Sequence, residues 1–434
     1  MMDRVSDVVA NCMLKDFLGY EELYKHLHLH PELSNAESKT CDLIRSRLTA
    51  WDKVQLHTGI GGHSVVGVFK NGDGPTVLLR ADIDALPIQE TTRLPYQSTA
   101  ISSIDGIQRP VMHACGHDMH TTCLLAATEV LVSRARDHWS GTLVVLFQPA
   151  EERGTGAQAM VDDSLWDKIP QPDYLFGQHV VANLPAGVIG LRSGTIMAGA
   201  ESMRCKIYGR GGHASQPHRA IDAGLLASNC IVRLQQIVSR ELAPGDTAVL
   251  TAVPLSAGVA ENIIPDDLEV GVDIRFIKHE TRDQLRRSIR RIINAECQAS
   301  NAPRTPTFTT TRTFPLTIND LKLTSLLKDS FAEHFGQKLN PEIAISTIAE
   351  DFPNLSSGQP YVFWHLGCSD QSCFDLEGRP DADLPPIPMN HSSGFAPLIQ
   401  PTLRVGVEAL VLAALTGFNI PSSLGQKEIL VPKI

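Results

Sequence analysis

Long apolar runs, rather than strict alternation, mark the first half of this chain. Thr142–Gln148 (TLVVLFQ) is apolar at nearly every position, as a strand covered on both faces must be. Segments 63–70 and 76–82 and Tyr174–Val181 read the same way, and the pattern switches to helical spacing over 118–134. Ser34-x-x-Glu37 reads as a capping box that opens a helix burying Cys41, Ile44 and Leu48. Alternating strands and helices predict an α/β layer sandwich. Ser193–Ala200 (SGTIMAGA) then turns small and glycine-containing, which suits a hinge. Beyond it the order is strand 201–209, helix 220–242, strand 247–254, strand 268–276, helix 280–299 and strand 305–312. That β-α-β-β-α-β order is ferredoxin-like. The chain then returns to helix, strand and a final helix over 396–416. The expectation is a discontinuous α/β domain, 1–195 and 313–434, with an α+β domain inserted at 196–312.

Composition narrows the class. A length of 434 residues suggests two or three domains. The 43% hydrophobic and 20% charged content is ordinary for a globular protein. A net charge of −10 argues against a nucleic-acid partner, and the basic run Arg282–Arg291 reads as the solvated face of an amphipathic helix. The opening MMDRVSDVVANCMLKDF has acidic residues and no sustained apolar core, so no signal peptide is expected. No apolar run of 18 residues is seen. The best candidate, Val405–Leu415, is short and carries Glu408, so no membrane span is expected. Nine scattered cysteines read as reduced thiols in a cytoplasmic protein.

The chemistry concentrates at strand ends. His113-Ala114-Cys115-Gly116-His117-Asp118-Met119-His120 packs a thiol, three imidazoles and a carboxylate into one short stretch. Thiolate and neutral imidazole are ligands of borderline-soft divalent metals. Glu151 and Glu152 lie just past Thr142–Gln148, His179 lies near the end of Tyr174–Val181, and His391 stands in PMNHSSGF. Sites in open α/β sheets form beyond the carboxyl ends of strands, so these residues converge by topology. In an extended segment adjacent glutamates point apart, which suggests Glu152 on metal and Glu151 as general acid/base. His113 is expected beside the ligands and His120 packed in the first helical turn. Structural roles are expected for His26, His28 and His30, and a cap at Asp351.

The chain resembles M20-type metallopeptidases, in the amidohydrolase branch of hippurate hydrolases, N-acyl-amino-acid hydrolases and plant auxin–amino-acid conjugate hydrolases. The resemblance rests on LHLHPELSNAE (27–37), LLRADIDALPIQE (78–90), HACGHDMHT (113–121), FQPAEERGTGAQAM (147–160), GRGGHASQPH (209–218), ENIIPDDLEVGVDIRF (261–276), AEDF (349–352) and NHSSGFAP (390–397), in that order. It implies a zinc-exopeptidase-like sheet and a two-metal site. Cys115 would bridge the metals, with His117, Glu152, His179 and His391 completing the ligands and Glu151 as base. Zn, Mn, Co and Ni all suit such ligands. Many relatives carry a metal-binding histidine where this chain has Arg80, which cannot ligate a cation. Asp82 would then orient its neighbours or tune Glu151.

The inserted domain, by the same resemblance, would act as a lid and a homodimer interface. Alone, Gly209–His213 reads as a glycine-rich turn with an exposed histidine. The resemblance implies instead that His213 donates a hydrogen bond to the developing oxyanion, and that Asn262 and Arg275 face a substrate carboxylate. Arg275 also suits a structural ion pair. Counting two divalent cations against Cys115, Glu151 and Glu152 leaves the ligand set about one positive charge, suited to an acylated amino acid. The expected activity is metal-dependent hydrolysis of an N-acyl amino acid or related amide conjugate carrying a carboxylate. The alternatives are amide-bond formation or acyl exchange, or a dipeptidase, on the same site, and an inactive binding protein on the same fold.

Overall fold

The structure is a computed structural model that describes residues 4–420 apart from 105, 257, 376, 377, 381, 382 and 385. The chain divides into two compact units: Met1–Ile196 with Ile318–Ala344 and Asp351–Ile434, and Met197–Thr317 with Ile345–Glu350.

The first unit is built on an eight-stranded sheet in the order Gln55–Thr58, Val65–Asn71, Gly141–Gln148, Thr76–Asp82, Tyr174–Pro185, Tyr361–Ser369, Ile189–Gly190 and Leu339–Asn340. Gly141–Gln148, Thr76–Asp82, Tyr174–Pro185 and Tyr361–Ser369 run parallel to one another, and the flanking Val65–Asn71 and Ile189–Gly190 run antiparallel to them. Their apolar runs are buried, as helices on both faces require. Register places Asp82 opposite Gln148, Arg80 opposite Gly177 and His179 opposite His365. Thr76–Asp82 and Gly141–Gln148 therefore end together, at the level His179 occupies within Tyr174–Pro185.

Two helices cover this core. In His117–Glu129 every residue but the last is buried. Ile399–Phe418 is 20 residues long, apolar, and mostly buried. It is long and apolar enough to cross a bilayer, so the sequence reading of Val405–Leu415 understated it. Here it serves as a core helix. Gly406 lets it approach its neighbours: a Cβ there would meet Cys123 Sγ and Leu366 Cδ2 at 2.8 Å.

One sequence expectation fails at the third helix. Ser34 and Glu37 form no capping box, because the helix begins only at Ser38. Ser34 Oγ donates to Asp84 at 2.6 Å, and Glu37 Oε1 accepts from the Asn35 and Ala150 amides. Tertiary partners outbid the local motif. Ile44 and Leu48 are buried as expected, while Cys41 is only half-buried. All nine cysteines are unpaired.

The second unit holds a four-stranded antiparallel sheet in the order Ala248–Ser256, Asp267–Phe276, Gly199–Tyr208 and Thr307–Phe314. With helices Ala223–Gln236 and His279–Ala299 this is the ferredoxin-like arrangement. Alternation is clean in Asp267–Phe276, which buries Leu268, Val270, Val272, Ile274 and Phe276. Asp222 caps the first helix through the Gly224 and Leu225 amides, so that helix starts three residues later than its periodicity suggested. In the second helix Leu285, Ile289, Ile292 and Ile293 face the core, and Arg287, Arg290 and Arg291 are exposed. The unit extends beyond residue 312 because Thr307–Phe314 closes its sheet edge. The Ser193–Ala200 stretch is largely extended, with strands Gly194–Met197 and Gly199–Tyr208, and the division between units falls after Ile196.

His28 lies in the last turn of helix Leu18–Leu29. Its ring is fully buried, with Nδ1 2.6 Å from Asp118 Oδ2 and Nε2 3.1 Å from Glu90 Oε1. Two carboxylate acceptors require both nitrogens to donate, which makes the ring an imidazolium. Burial alone would lower its pKa, but the bonds to Asp118 and Glu90 raise it to about 9. A raised folded-state pKa contributes stability below about 6.5 that is lost as pH climbs through about 9, on the order of 3 kcal/mol. A ring-proton NMR titration of His28 should have its midpoint near 9, with global stability falling across that same rise; a midpoint at or below 6.5 contradicts the buried triad.

Candidate metal centre

The residues singled out at the strand ends gather around one sulfur. Cys115 Sγ lies 3.4 Å from His179 Nε2 and 3.2 Å from His391 Nε2. Glu152 Oε1 lies 3.3 Å from His391 Nε2 and 3.8 Å from His117 Nε2. Cys115, His117 and Glu152 present donor atoms within 4.8 Å of one another, and so do Asp82, His117, His120 and His179. Five residues separated by up to 276 positions thus share one small volume.

Each histidine is aimed by its other nitrogen. His117 Nδ1 is 3.2 Å from Asp84 Oδ1, leaving Nε2 turned inward. His179 Nδ1 donates to the Val180 carbonyl at 2.7 Å, again leaving Nε2. His391 is held through its backbone: its amide donates to the Ala114 carbonyl at 2.7 Å, while Asn390 accepts from Ala182 N and donates to the Val180 carbonyl. His120 plays a different part. Its Nε2 accepts from the Val180 amide at 2.8 Å, so its proton sits on Nδ1 and goes to Asp82 Oδ1 at 2.5 Å. Both nitrogens are occupied, which fits packing rather than ligation. Asp82 is bonded to Arg80 Nη1 at 2.8 Å and lies 3.6 Å from His117 Nε2. Sequence reasoning missed Asp84, His120 and Asn390 as positioning groups. The only signal for Asp84 was a second acid two residues after Asp82, and partners drawn from four segments are invisible to spacing.

The electrostatics are lopsided without a cation. Burial, then Glu152 and Glu151, pushes the Cys115 thiol well above its usual range. Burial opposes charge on His117, yet Asp82, Asp84 and Glu152 raise it to about 10. Burial and His120 push His179 well below the ordinary imidazole value, so it is neutral. Among the described residues, the buried His117 Nε2 and Glu152 Oε1 have no hydrogen-bond partner, although they lie 3.8 Å apart. Thiol, imidazole and carboxylate around orphaned atoms form a donor set that fits divalent metal. The charge count changes, however. Asp82 and Asp84 add two buried carboxylates and Arg80 one guanidinium, so the positive margin read from the ligands alone disappears.

The glutamate pair is not extended. Ala150 adopts φ 52°, and Glu151–Arg153 form a turn that sends the two carboxylates apart. Glu152 faces His117 and His391, whereas a Glu151 oxygen lies within 4.8 Å of one from Asp351. Asp351 accepts from Gln148 Nε2 at 2.6 Å and from the Ala157 amide at 3.0 Å, capping helix Gly156–Asp162 from a distance.

In the second unit, His213 lies in a two-stranded ribbon that Asn262 adjoins, and the Ala214 amide donates to the Asn262 carbonyl at 3.0 Å. His213 is exposed, and its Nδ1 accepts from the Ser215 amide at 3.1 Å. The ring proton therefore sits on Nε2. Arg275 Nε binds Asp273 Oδ1 at 3.0 Å, the structural pairing open to it at a strand end.

The model of peptidase family M20/M25/M40 matches residues 78–385. A hippurate hydrolase from Campylobacter jejuni is 38% identical over 323 residues, 74% of this chain and 80% of its own length. IAA-amino acid hydrolase ILR1-like 5 from Arabidopsis thaliana is 34% identical over 350 residues, 80% of this chain and 78% of its own. Among solved structures, a dinuclear metal-binding M20 peptidase from Bacillus subtilis superposes with TM-score 0.72 at 26% identity, covering 92% of this chain and 98% of its own.

Metal uptake should release protons. Cys115 is a thiol and His117 an imidazolium when no cation is bound, and both must lose a proton to ligate. Calorimetric titration of Zn²⁺ in buffers of different ionisation enthalpy should give about two protons released, with affinity rising as pH rises. No release between pH 6 and 8 contradicts the assignment of these two as ligands.

Proposed function

The chain belongs to peptidase family M20/M25/M40, and from that premise we propose that it hydrolyses the amide bond of N-acyl amino acids or related conjugates. As a member it is a metal-dependent hydrolase of amide bonds. The observation that carries the finer reading is the convergence of Cys115, His117, Glu152, His179 and His391 with Glu151 beside them. These five residues would hold two divalent cations, in keeping with the dinuclear Bacillus relative. Bound there, the metals supply Lewis-acid polarisation and lower the pKa of water from about 16 toward about 7.

The chain's own groups do the rest. Glu151 is the carboxylate left off the ligand cluster, and its charge already reaches Cys115. It takes the proton of the attacking water and returns it to the departing amine. Asp84 and the Val180 carbonyl keep His117 and His179 turned to the centre, and Asp82, tied to Arg80 and His120, fixes the floor beside them. His213, with its proton on Nε2, suits the role of hydrogen-bond donor to the oxyanion. Asn262, adjoining the same ribbon, is the better candidate for the substrate carboxylate, because Arg275 is engaged with Asp273. Both named relatives act on acyl conjugates of amino acids by their names, which supports this substrate class.

Glu151→Gln should retain bound metal and lose about 10²- to 10⁴-fold in kcat on N-acyl amino acids. Near-full activity of that variant removes Glu151 as base. His213→Ala should keep the metal and lower kcat about 10²- to 10³-fold. A panel of N-acyl amino acids and dipeptides, read by amine release, should favour the former; faster cleavage of dipeptides would reassign the chain as a dipeptidase.

A further inference from the structure

The turn that carries Glu151 and Glu152 is held in a conformation its residues do not favour. Ala150 is buried with φ 52°, the left-handed region that a side chain disfavours. Its amide donates to Glu37 Oε1 at 2.9 Å, and its carbonyl accepts from the Gly156 amide at 3.2 Å. Gly156 lies so close beneath the turn that a Cβ would stand 1.7 Å from the Pro149 carbonyl oxygen. The Glu152 amide donates to Asp84 at 3.1 Å and the Ala157 amide to Asp351 at 3.0 Å. Glu37 and Asp84 thus hold two amides of one turn, and Asp351 caps the helix that follows it.

Glu37 is the grip whose presence most needs a reason. Asp84 also orients His117, and Asp351 also binds Gln148. Glu37 Oε1 accepts from the Asn35 and Ala150 amides, yet the residue is completely buried and its Oε2 has no hydrogen-bond partner among the described residues. Burial and the neighbouring Asp84 push its carboxyl up to about 7. A buried acid with an unmatched oxygen costs stability, and such costs are tolerated where function gains.

We propose that Glu37 is a positioning residue that, by accepting the Ala150 amide, locks the left-handed turn and so sets where the Glu151 and Glu152 carboxylates stand. The inference rests on the roles given above to those two glutamates. It predicts that the acceptor atom matters and the charge does not.

The test compares Glu37→Gln, Glu37→Ala, and Glu37→Ala combined with Ala150→Gly. Zn²⁺ affinity is read by competition with a chelator, alongside kcat, KM and Tm. Glu37→Gln keeps the Oε1 acceptor and should stay within about twofold of wild type in Kd and kcat. Glu37→Ala should raise Kd and lower kcat by about tenfold or more with KM little changed. Adding Ala150→Gly should restore most of both, because glycine adopts positive φ without an external hold. Wild-type Kd and kcat in Glu37→Ala, with only Tm lowered, marks a purely structural role and overturns the proposal. Equal losses in Glu37→Gln and Glu37→Ala also overturn it. Glu152→Ala, measured in parallel, separates the two levels. Unchanged Zn²⁺ affinity there removes the ligand assignment, whereas loss there with wild-type affinity in Glu37→Ala removes only the positioning role.

Discussion

Strand register is the constraint from which the centre follows. With Asp82 opposite Gln148 and Arg80 opposite Gly177, two adjacent parallel strands end at one height and the third carries His179 at that height. Asp82, Asp84, Glu151 and Glu152 follow those two ends, and His179 stands beside them from within its strand. The helix opening at His117 and the loop bearing His391 need only reach over that edge. A one-residue slip in any of these strands would turn its donors to the opposite face of the sheet. The buried apolar faces of the strands, sealed by His117–Glu129 and Ile399–Phe418, hold the register.

That edge gathers more negative charge than a dry interior tolerates. Asp82 and Asp84 are fully enclosed, with His117 and Arg80 or Ser34 as partners, and Glu151 and Glu152 stand nearby. Against the upward push of burial, His117, Arg80 and His120 hold the Asp82 carboxyl well below its usual range. The protein compensates with an imidazolium at His117 and a protonated thiol at Cys115, a makeshift that a divalent cation would replace under the proposed function. Metal affinity and proton inventory are therefore one property of this site.

Much of this was legible in the sequence. The apolar run TLVVLFQ announced a buried strand, and the β-α-β-β-α-β order between residues 201 and 312 gave the second sheet its topology. Cys115, His117, Glu152, His179 and His391 stood out because metal-type side chains at strand ends have few other reasons to recur. What stayed hidden depends on partners distant in sequence. Ser34 and Glu37 look like a local cap, yet serve Asp84 and Ala150. The two glutamates diverge through a left-handed alanine that no propensity would place there. The favourable charge balance read from the ligands failed because it left out Asp82, Asp84 and Arg80, whose burial only the fold reveals.

The most direct test of the central claim is X-ray absorption at the metal edge of protein loaded with Zn²⁺. The account predicts a sulfur scatterer near about 2.3 Å together with imidazole nitrogen, and loss of the sulfur shell in Cys115→Ser. A wild-type spectrum fitted by oxygen and nitrogen alone would contradict the gathering of these residues around a shared thiolate.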